Sequence, residues 1–364
     1  MKTAGEGELM DVYEVLRERL DACPPGAPQS ETMYKILRLL FSPEEAEISC
    51  HLKFTLQSVS ELAARTGWDE SRLEKVLEGL ADRGVIRGVT RENKPTRYSL
   101  LPIVPGFMEF TLMRRDRVAD YDELARLWHR WTQEAYSVPT PLFRIVPVQE
   151  AVPVSTGFLP YQQVYEAISQ ADYISVTTCA CRASARNCDH PLHNCINLGH
   201  IAKYLVDRGL ARQIERDEAL QILQQAEETG LVHSFNNYEQ TLSICNCCSC
   251  CCSNLQSVKD LARPNTVANS SYEVSFDHTQ CIGCLLCTEN RCPMGAISPY
   301  QDIVAVDLQR CIGCGLCTTV CPSDALAMRP REYAPDIPKD GKELMKILLE
   351  QTGRTERFHK INNE

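Results

Sequence analysis

A chain of 364 residues is long enough for roughly two or three hydrophobic cores, and its 44% hydrophobic and 24% charged shares are those of a globular protein. No apolar run approaches the roughly 20 residues that span a bilayer, and the first residues hold no basic stretch followed by an apolar one, so a membrane span is excluded and the cytoplasm is the expected address. A formal net charge of −10 repels polyphosphates in bulk and favours proteins and small molecules as partners.

The first predicted elements lie in residues 31–100. "MYKILRLLF" (33–41) is apolar on one helical face, and "SVSELAART" (58–66) and "ESRLEKVLEGLADRG" (70–84) are two short helices parted by the turn "GWD". Leu73, Val76, Leu77 and Leu80 mark the buried face of the second, with Asp69 as its N-cap. "GVIRGVTRENKPTRYSL" (84–100) reads as strand, basic loop, strand. This order resembles the winged-helix family, and the resemblance implies a domain over 1–115. The helix that would enter a DNA groove exposes Glu70, Glu74, Glu78 and Asp82 against Arg72, Lys75 and Arg83, while the wing carries Arg87, Arg91, Lys94 and Arg97. DNA is therefore the weaker candidate partner, and a docking or dimerisation module the stronger reading.

Residues 116–170 form a connector with proline punctuation and a helix over 118–136. The strand "DYISVTT" (172–178) then opens a cysteine-rich segment, 171–260, with helices near 197–208 and 216–229. Residues 253–272 are polar, contain Pro264 and read as a linker. Beyond it, Val274, Asp277 and Cys281 align with Val304, Asp307 and Cys311 in an internal repeat of period near 30 residues, which predicts duplicated half-domains over 271–330. Residues 331–364 hold one more helix, 341–351, and a polar tail.

Twenty cysteines carry the chemistry, eighteen of them between residues 179 and 321. In a reducing compartment such density reads as metal ligation or redox chemistry, with a disulfide framework the poorer explanation. Each half-repeat has C-x2-C-x2-C and then C-P: Cys281, Cys284, Cys287 with Cys292-Pro293, and Cys311, Cys314, Cys317 with Cys321-Pro322. Thiolates at every third residue wrap three corners of a cubane, and the fourth comes from the C-P of the other half. That swap assigns Cys281, Cys284, Cys287 and Cys321 to one [4Fe–4S] cluster and Cys311, Cys314, Cys317 and Cys292 to a second. Gly283 and Gly313 keep the loops tight and their N–H groups available to sulfide. Over residues 273–328 the pattern resembles the bacterial two-[4Fe–4S] ferredoxin domain, except that four residues, "TENR", separate Cys287 from Cys292 where the family has three. Paired zinc knuckles would leave both C-P dipeptides unexplained.

The other ten, Cys179, Cys181, Cys188, Cys195, Cys245, Cys247, Cys248, Cys250, Cys251 and Cys252, include the run "ICNCCSCCC" and fit no standard ferredoxin spacing. They suffice for one or two further [4Fe–4S] clusters, with the run facing the Cys179–Cys195 loop in a shared site, and Arg182 is placed to hydrogen-bond cluster sulfur. Two alternatives stay open: zinc on Cys179 and Cys181 with His190, His193, His200 or His233, and a metal-free sensing or catalytic thiol pair. The whole arrangement resembles a group of iron–sulfur proteins from anaerobes with an N-terminal winged helix, which implies extra clusters and anaerobic electron transfer. The expected architecture is α+β and multidomain: a winged helix-turn-helix, a central mixed α/β cysteine-rich domain and a ferredoxin-like (βαβ)2 domain.

No dinucleotide or P-loop fingerprint occurs, so a self-contained nucleotide enzyme finds no support and no catalytic residue is assigned. The expected function is an electron-transfer subunit that relays low-potential electrons between a donor and an acceptor oxidoreductase. A redox-responsive winged-helix transcription regulator and a catalytic iron–sulfur reductase subunit are the alternatives.

Overall fold

The computed structural model describes residues 11–148, 151, 160–288, 291–334 and 336–364. Glu289 and Asn290 of the four-residue spacer, and the proline-containing stretch 152–159, lie outside the described residues. The chain divides into two compact units, one reaching to Tyr136 and including Leu349–Glu364, the other Ser137–Leu348.

The first unit contains helices α1 (Val12–Asp21), α2 (Glu31–Leu40), α3 (Pro43–Ser49), α4 (Val59–Thr66) and α5 (Glu70–Asp82), the hairpin β1 (Arg87–Val89) and β2 (Arg97–Ser99), then α6 (Met108–Met113) and α7 (Tyr121–Glu134). Local chemistry sets the boundaries. Ser42 with Glu45 and Ser58 with Glu61 form capping boxes on α3 and α4, and Gly67 ends α4 at φ 74°. Asp69 caps α5 by accepting from the Arg72 N–H at 2.8 Å. Leu73, Leu77 and Leu80 are buried in the helix face that periodicity predicts. Where a polar tail was expected, residues Thr355–Asn363 form a helix. Its Phe358 stacks on Phe54 at 5.5 Å, and Asn362 Oδ1 accepts from the N–H groups of Phe54 and Thr55 at 3.0 and 3.1 Å. One aromatic contact and a few specific bonds hold a segment too polar to announce itself.

The second unit is built on a seven-stranded sheet of β3 (Phe143–Val146), β4 (Ile174–Thr178), β5 (His193–Leu198), β6 (Ala211–Gln213), β7 (Val232–Asn236), β8 (Ser243–Cys247) and β9 (Val267–Ala268), in the order β6-β4-β5-β8-β7-β3-β9. All pairs are antiparallel except β3 with β9. Successive strand residues turn to opposite faces. Val146, Val176, Ile196, Phe235 and Ile244 pack on one face with Val164 and Ile168 of α8 (Pro160–Gln170) and Leu223 of α11 (Arg216–Glu228). Ile145, Val232, Cys245 and Cys247 instead join a core with residues 272–328.

Residues 253–272, expected as a linker, contain α12 (Ser253–Asp260), a 3-10 turn at Pro264–Thr266, and β9. Leu255 and Val267 are buried in the shared core, so a few apolar side chains dock a run that is polar on average.

Residues 272–330 hold β10 (Tyr272–Phe276), β11 (Ile297–Tyr300), β12 (Ile303–Val306) and β13 (Leu326–Pro330), with β10 paired to β13 and β11 to β12. Where (βαβ)2 predicted helices, the described residues between β10 and β11 and between β12 and β13 form loops with a single 3-10 turn, Thr318–Val320. Positive φ at Gly283, Leu285, Gly313 and Gly315 is incompatible with right-handed helix there.

Candidate metal centres

Strand pairing explains how the two half-repeats exchange a cysteine. Phe276 at the end of β10 pairs with Leu326 at the start of β13, and the Asp277 N–H donates to Ala325 O at 2.8 Å. The loop that follows β10 therefore meets the segment that precedes β13, and Cys281, Cys284, Cys287 and Cys321 line one cavity of about 310 Å³ including its open mouth. By the same symmetry Val306 pairs with Ile297 and the Asp307 N–H donates to Ala296 O at 2.8 Å. Cys311, Cys314, Cys317 and Cys292 line a second cavity, of about 350 Å³. These groupings coincide with the sequence-predicted quartets.

Four soft donors around a cavity, with no other charged side chain lining the first, fit a thiolate-bound cluster. Backbone N–H groups reinforce the fit. Ala296 N–H donates to Cys292 Sγ at 3.2 Å, and although burial opposes ionisation of Cys321, the N–H groups of Leu326, Ser323 and Ala325 hold its thiol below the ordinary range. Burial pushes Cys287 up to about 11 and Cys314 up to about 12, so both need a metal to stay deprotonated. The two cavities differ in access: Cys284 is exposed in the first, while Cys314 and Cys317 are buried in the second.

The ten central cysteines divide. Cys188, from the loop after α9 (Ala180–Ala185), meets Cys248, Cys250 and Cys251 from the turn between β8 and α12, with all four Sγ atoms within 4.8 Å of one another. The other six form an open ring: Cys179 is hydrogen-bonded to Cys195, Cys195 to Cys245, Cys245 to Cys247, Cys247 to Cys252 and Cys252 to Cys181, and Cys181 and Cys179 interact across the gap through charge alone. Alternation along the strands puts Cys195, Cys245 and Cys247 on the sheet face that carries the ferredoxin segments. Cys247 and Cys252 share a buried core with Cys287, Cys314 and Cys317. A shared site was expected, and two separate groups are found, because Cys188 sits beyond α9 while Cys179 and Cys181 sit at its start.

Hydrogen bonding ranks the ring thiols. Cys195 and Cys247 hold Cys245 down to about 6. Cys181 and Cys247, with the N–H groups of Leu255 and Asn254 at the start of α12, hold Cys252 well below its ordinary value. Cys179, through its bond to Cys195 and its burial, is pushed up.

Arg182, 1% exposed, lies between the two groups. Its Nη2 donates to Asn246 O at 3.1 Å and reaches Cys248 Sγ at 3.4 Å, its Nη1 donates to Pro191 O, and its Nε is buried without a partner. Burial works against its charge, yet the Cys179, Cys248 and Cys195 sulfurs outweigh that and raise its pKa.

Of the histidines weighed as ligands, none belongs to the close thiol group among the described residues. His233 is fully buried and engaged by Asn246 Oδ1 at 2.7 Å and Glu227 Oε1 at 3.0 Å, and His193 by Thr178 Oγ1 at 3.2 Å. Sequence reasoning missed Arg291, the last residue of the spacer before Cys292. Its guanidinium donates to Leu316 O at 2.8 Å, Thr319 Oγ1 at 2.5 Å, and Glu227 O and Glu228 O at 2.9 and 3.1 Å. The last two are carbonyls of the last turn of α11, where a cation is favoured. Arg291→Ala is expected to cost about 2 kcal/mol, read by anaerobic denaturant titration.

Taken together, four-thiol cavities built by two interleaved half-repeats are the arrangement of an iron–sulfur, ferredoxin-like domain. Residues 280–325 match the family model of the 4Fe-4S dicluster domain. No curated protein and no solved structure matches the chain. Among the described residues no helix is long and apolar enough to cross a membrane.

Proposed function

We propose that this chain is an electron-transfer protein, with two [4Fe–4S] clusters on the dicluster quartets and a further iron–sulfur cluster on the six-thiol ring, serving donor and acceptor oxidoreductases of anaerobic metabolism. The observation that carries the reading is the pair of cavities, each lined by three cysteines of one half-repeat and one of the other. Bound clusters supply one-electron carriers at the negative potentials usual for cysteinyl cubanes. The chain's own contribution is spacing and enclosure. Val148 N–H donates to Cys314 O at 3.0 Å, which seats the second quartet at the end of β3, and β3 is two strands from β8 and its Cys245 and Cys247. Two strand spacings are roughly 10 Å, short enough for the ring and the second quartet to act in series. The first quartet is the natural point of exchange with a partner, since Cys284 is exposed and Ile282 and Leu286 are 66% and 56% exposed beside it.

Anaerobic iron and acid-labile sulfide analysis with low-temperature paramagnetic resonance tests this. About twelve irons per chain are expected, about eight on the dicluster quartets and about four on the ring. A colourless protein without sulfide sinks the reading as a whole, and a count that stays near eight removes the ring cluster.

The N-terminal helix pair and hairpin are assigned as a winged helix that docks protein. Three of its basic residues are committed within the unit, Arg72 to Glu44 at 2.5 Å, Arg83 to Glu45 at 2.7 Å and Arg97 to Glu61 at 3.0 Å. Phosphate contacts would have to compete with these pairs. The expected result is no retention of the full chain on double-stranded DNA at low salt, read by electrophoretic mobility. A steep salt-dependent affinity would favour the transcription-regulator alternative.

A further inference from the structure

The four-cysteine groups of the second unit differ in size. The dicluster quartets line cavities open to solvent, and neither is among the described groups whose sulfurs all lie within 4.8 Å of one another. The quartet of Cys188, Cys248, Cys250 and Cys251 is closed. Its sulfurs stand 3.7 Å apart for Cys188 and Cys248, 3.6 Å for Cys188 and Cys251, and 3.8 Å for Cys250 and Cys251. A tetrahedral ion with metal–sulfur bonds of about 2.3 Å places its ligand sulfurs about 3.8 Å apart. A cubane needs more room, because four irons and four sulfides stand between its ligands. The separations match one ion and leave no space for eight atoms.

The surroundings agree. Cys248-x2-Cys251 is a knuckle spacing, and the third and fourth sulfurs come from the adjacent Cys250 and from a loop 60 residues earlier. Cys248 and Cys251 are buried and the other two partly so, within a small apolar cluster of Ala226, Leu231 and Ala185. All four donors are protein thiols, which leaves no position for water or substrate and makes the site structural. Asn187 Nδ2 and Gln256 Nε2 both donate to Cys250 O at 2.9 Å, bracing the turn from both sides. Arg182, with Nη2 at 3.4 Å from Cys248 Sγ and Nε buried without a partner, supplies positive charge next to what would be a four-thiolate dianion.

We propose that Cys188, Cys248, Cys250 and Cys251 bind a single tetrahedral zinc ion, separate from every iron–sulfur cluster of the chain. The ion clips the loop between Cys181 and Cys195 to the turn between Cys247 and Cys252. Those loops are the two walls of the six-thiol ring, so zinc fixes the ring's geometry without carrying electrons. Zinc is chosen over a lone iron because a closed, four-thiolate, structural site is its common setting.

The test is elemental analysis and zinc-edge X-ray absorption on the full chain purified without oxygen. About one zinc per chain with four sulfur neighbours at about 2.3 Å is expected. The Cys188→Ser variant is expected to lose that zinc while the resonance signals of the dicluster remain, and Cys281→Ser to lose iron while keeping zinc. Absence of zinc from the wild-type protein, iron in its place, or nitrogen and oxygen in the zinc shell overturns the assignment, and so does iron loss from Cys188→Ser with zinc unchanged. The wild-type measurement stands even where a variant fails to fold. Iron content decides the electron-transfer reading and zinc decides this one, so either can fail alone.

Discussion

Replacing Gly313 by alanine is expected to destabilise the dicluster segment by about 3–5 kcal/mol and to release the iron of its second quartet. Gly313 lies in the C-x2-C-x2-C loop between Cys311 and Cys314 with φ +74°, where an L residue costs roughly 1–2 kcal/mol. The larger part is a collision. A Cβ there would stand 2.0 Å from Tyr272 O and 2.2 Å from Ser270 Oγ, and neither can retreat cheaply. Ser270 Oγ donates to Gly313 O at 2.7 Å and accepts from the Tyr272 N–H at 3.1 Å, while the Ser270 N–H donates to Ile312 O at 3.1 Å. Gly295 provides the comparison, since its φ is +60° but the nearest atom to an added Cβ is an Arg310 guanidinium nitrogen at 3.6 Å. Gly295→Ala should cost only about 1 kcal/mol. Anaerobic denaturant titration with iron analysis reads both. Equal effects at the two positions would show that the close approach at Gly313 constrains nothing.

That collision also marks what a sequence can and cannot disclose here. The glycine is visible in the repeat, and so is the exchange of cysteines between halves, because a duplicated C-x2-C-x2-C…C-P pattern fixes which thiols can share a cavity. The face of α5 is visible too, in the spacing of Leu73, Leu77 and Leu80. The division of the central ten is not. It depends on β5 and β8 lying side by side, with Ile196 opposite Ile244, so that Cys195 and Cys245 turn to the same face of the sheet. Such a register is set by pairing across some 50 residues, and no local pattern encodes it. Cys188 leaves the ring for the same kind of reason, since one short helix carries it past Cys179 and Cys181. The run 253–272 and the tail at 355–363 hid their structure differently. Each is polar overall with few, unevenly spaced apolar anchors, among them Leu255, Val267 and Tyr272 in the first and Phe358 and Ile361 in the second, which do not register as a period.

Arg182 is the position where loss of one side chain should be felt in both central groups. Arg182→Met is expected to cost about 3–5 kcal/mol, because it strips a buried cation from its partners and leaves Pro191 O and Asn246 O short of a donor. Asn246 O keeps a weaker donor in Asn194 Nδ2 at 3.3 Å, whereas among the described residues Arg182 is the donor found for Pro191 O. Arg182→Lys separates charge from geometry. An ammonium keeps the positive charge near Cys179, Cys195 and Cys248 but cannot fork to two carbonyls and a sulfur at once. Lysine should therefore recover part of the stability and most of the electrostatics. With iron bound at the ring, removing a nearby positive charge disfavours the more negative reduced state, so methionine should lower the midpoint potential of that centre and lysine should largely restore it. Redox titration followed by paramagnetic resonance, alongside thermal unfolding, distinguishes the outcomes. If methionine destabilises the fold but leaves every potential where it was, Arg182 is a structural tie alone and its charge does not reach the ring.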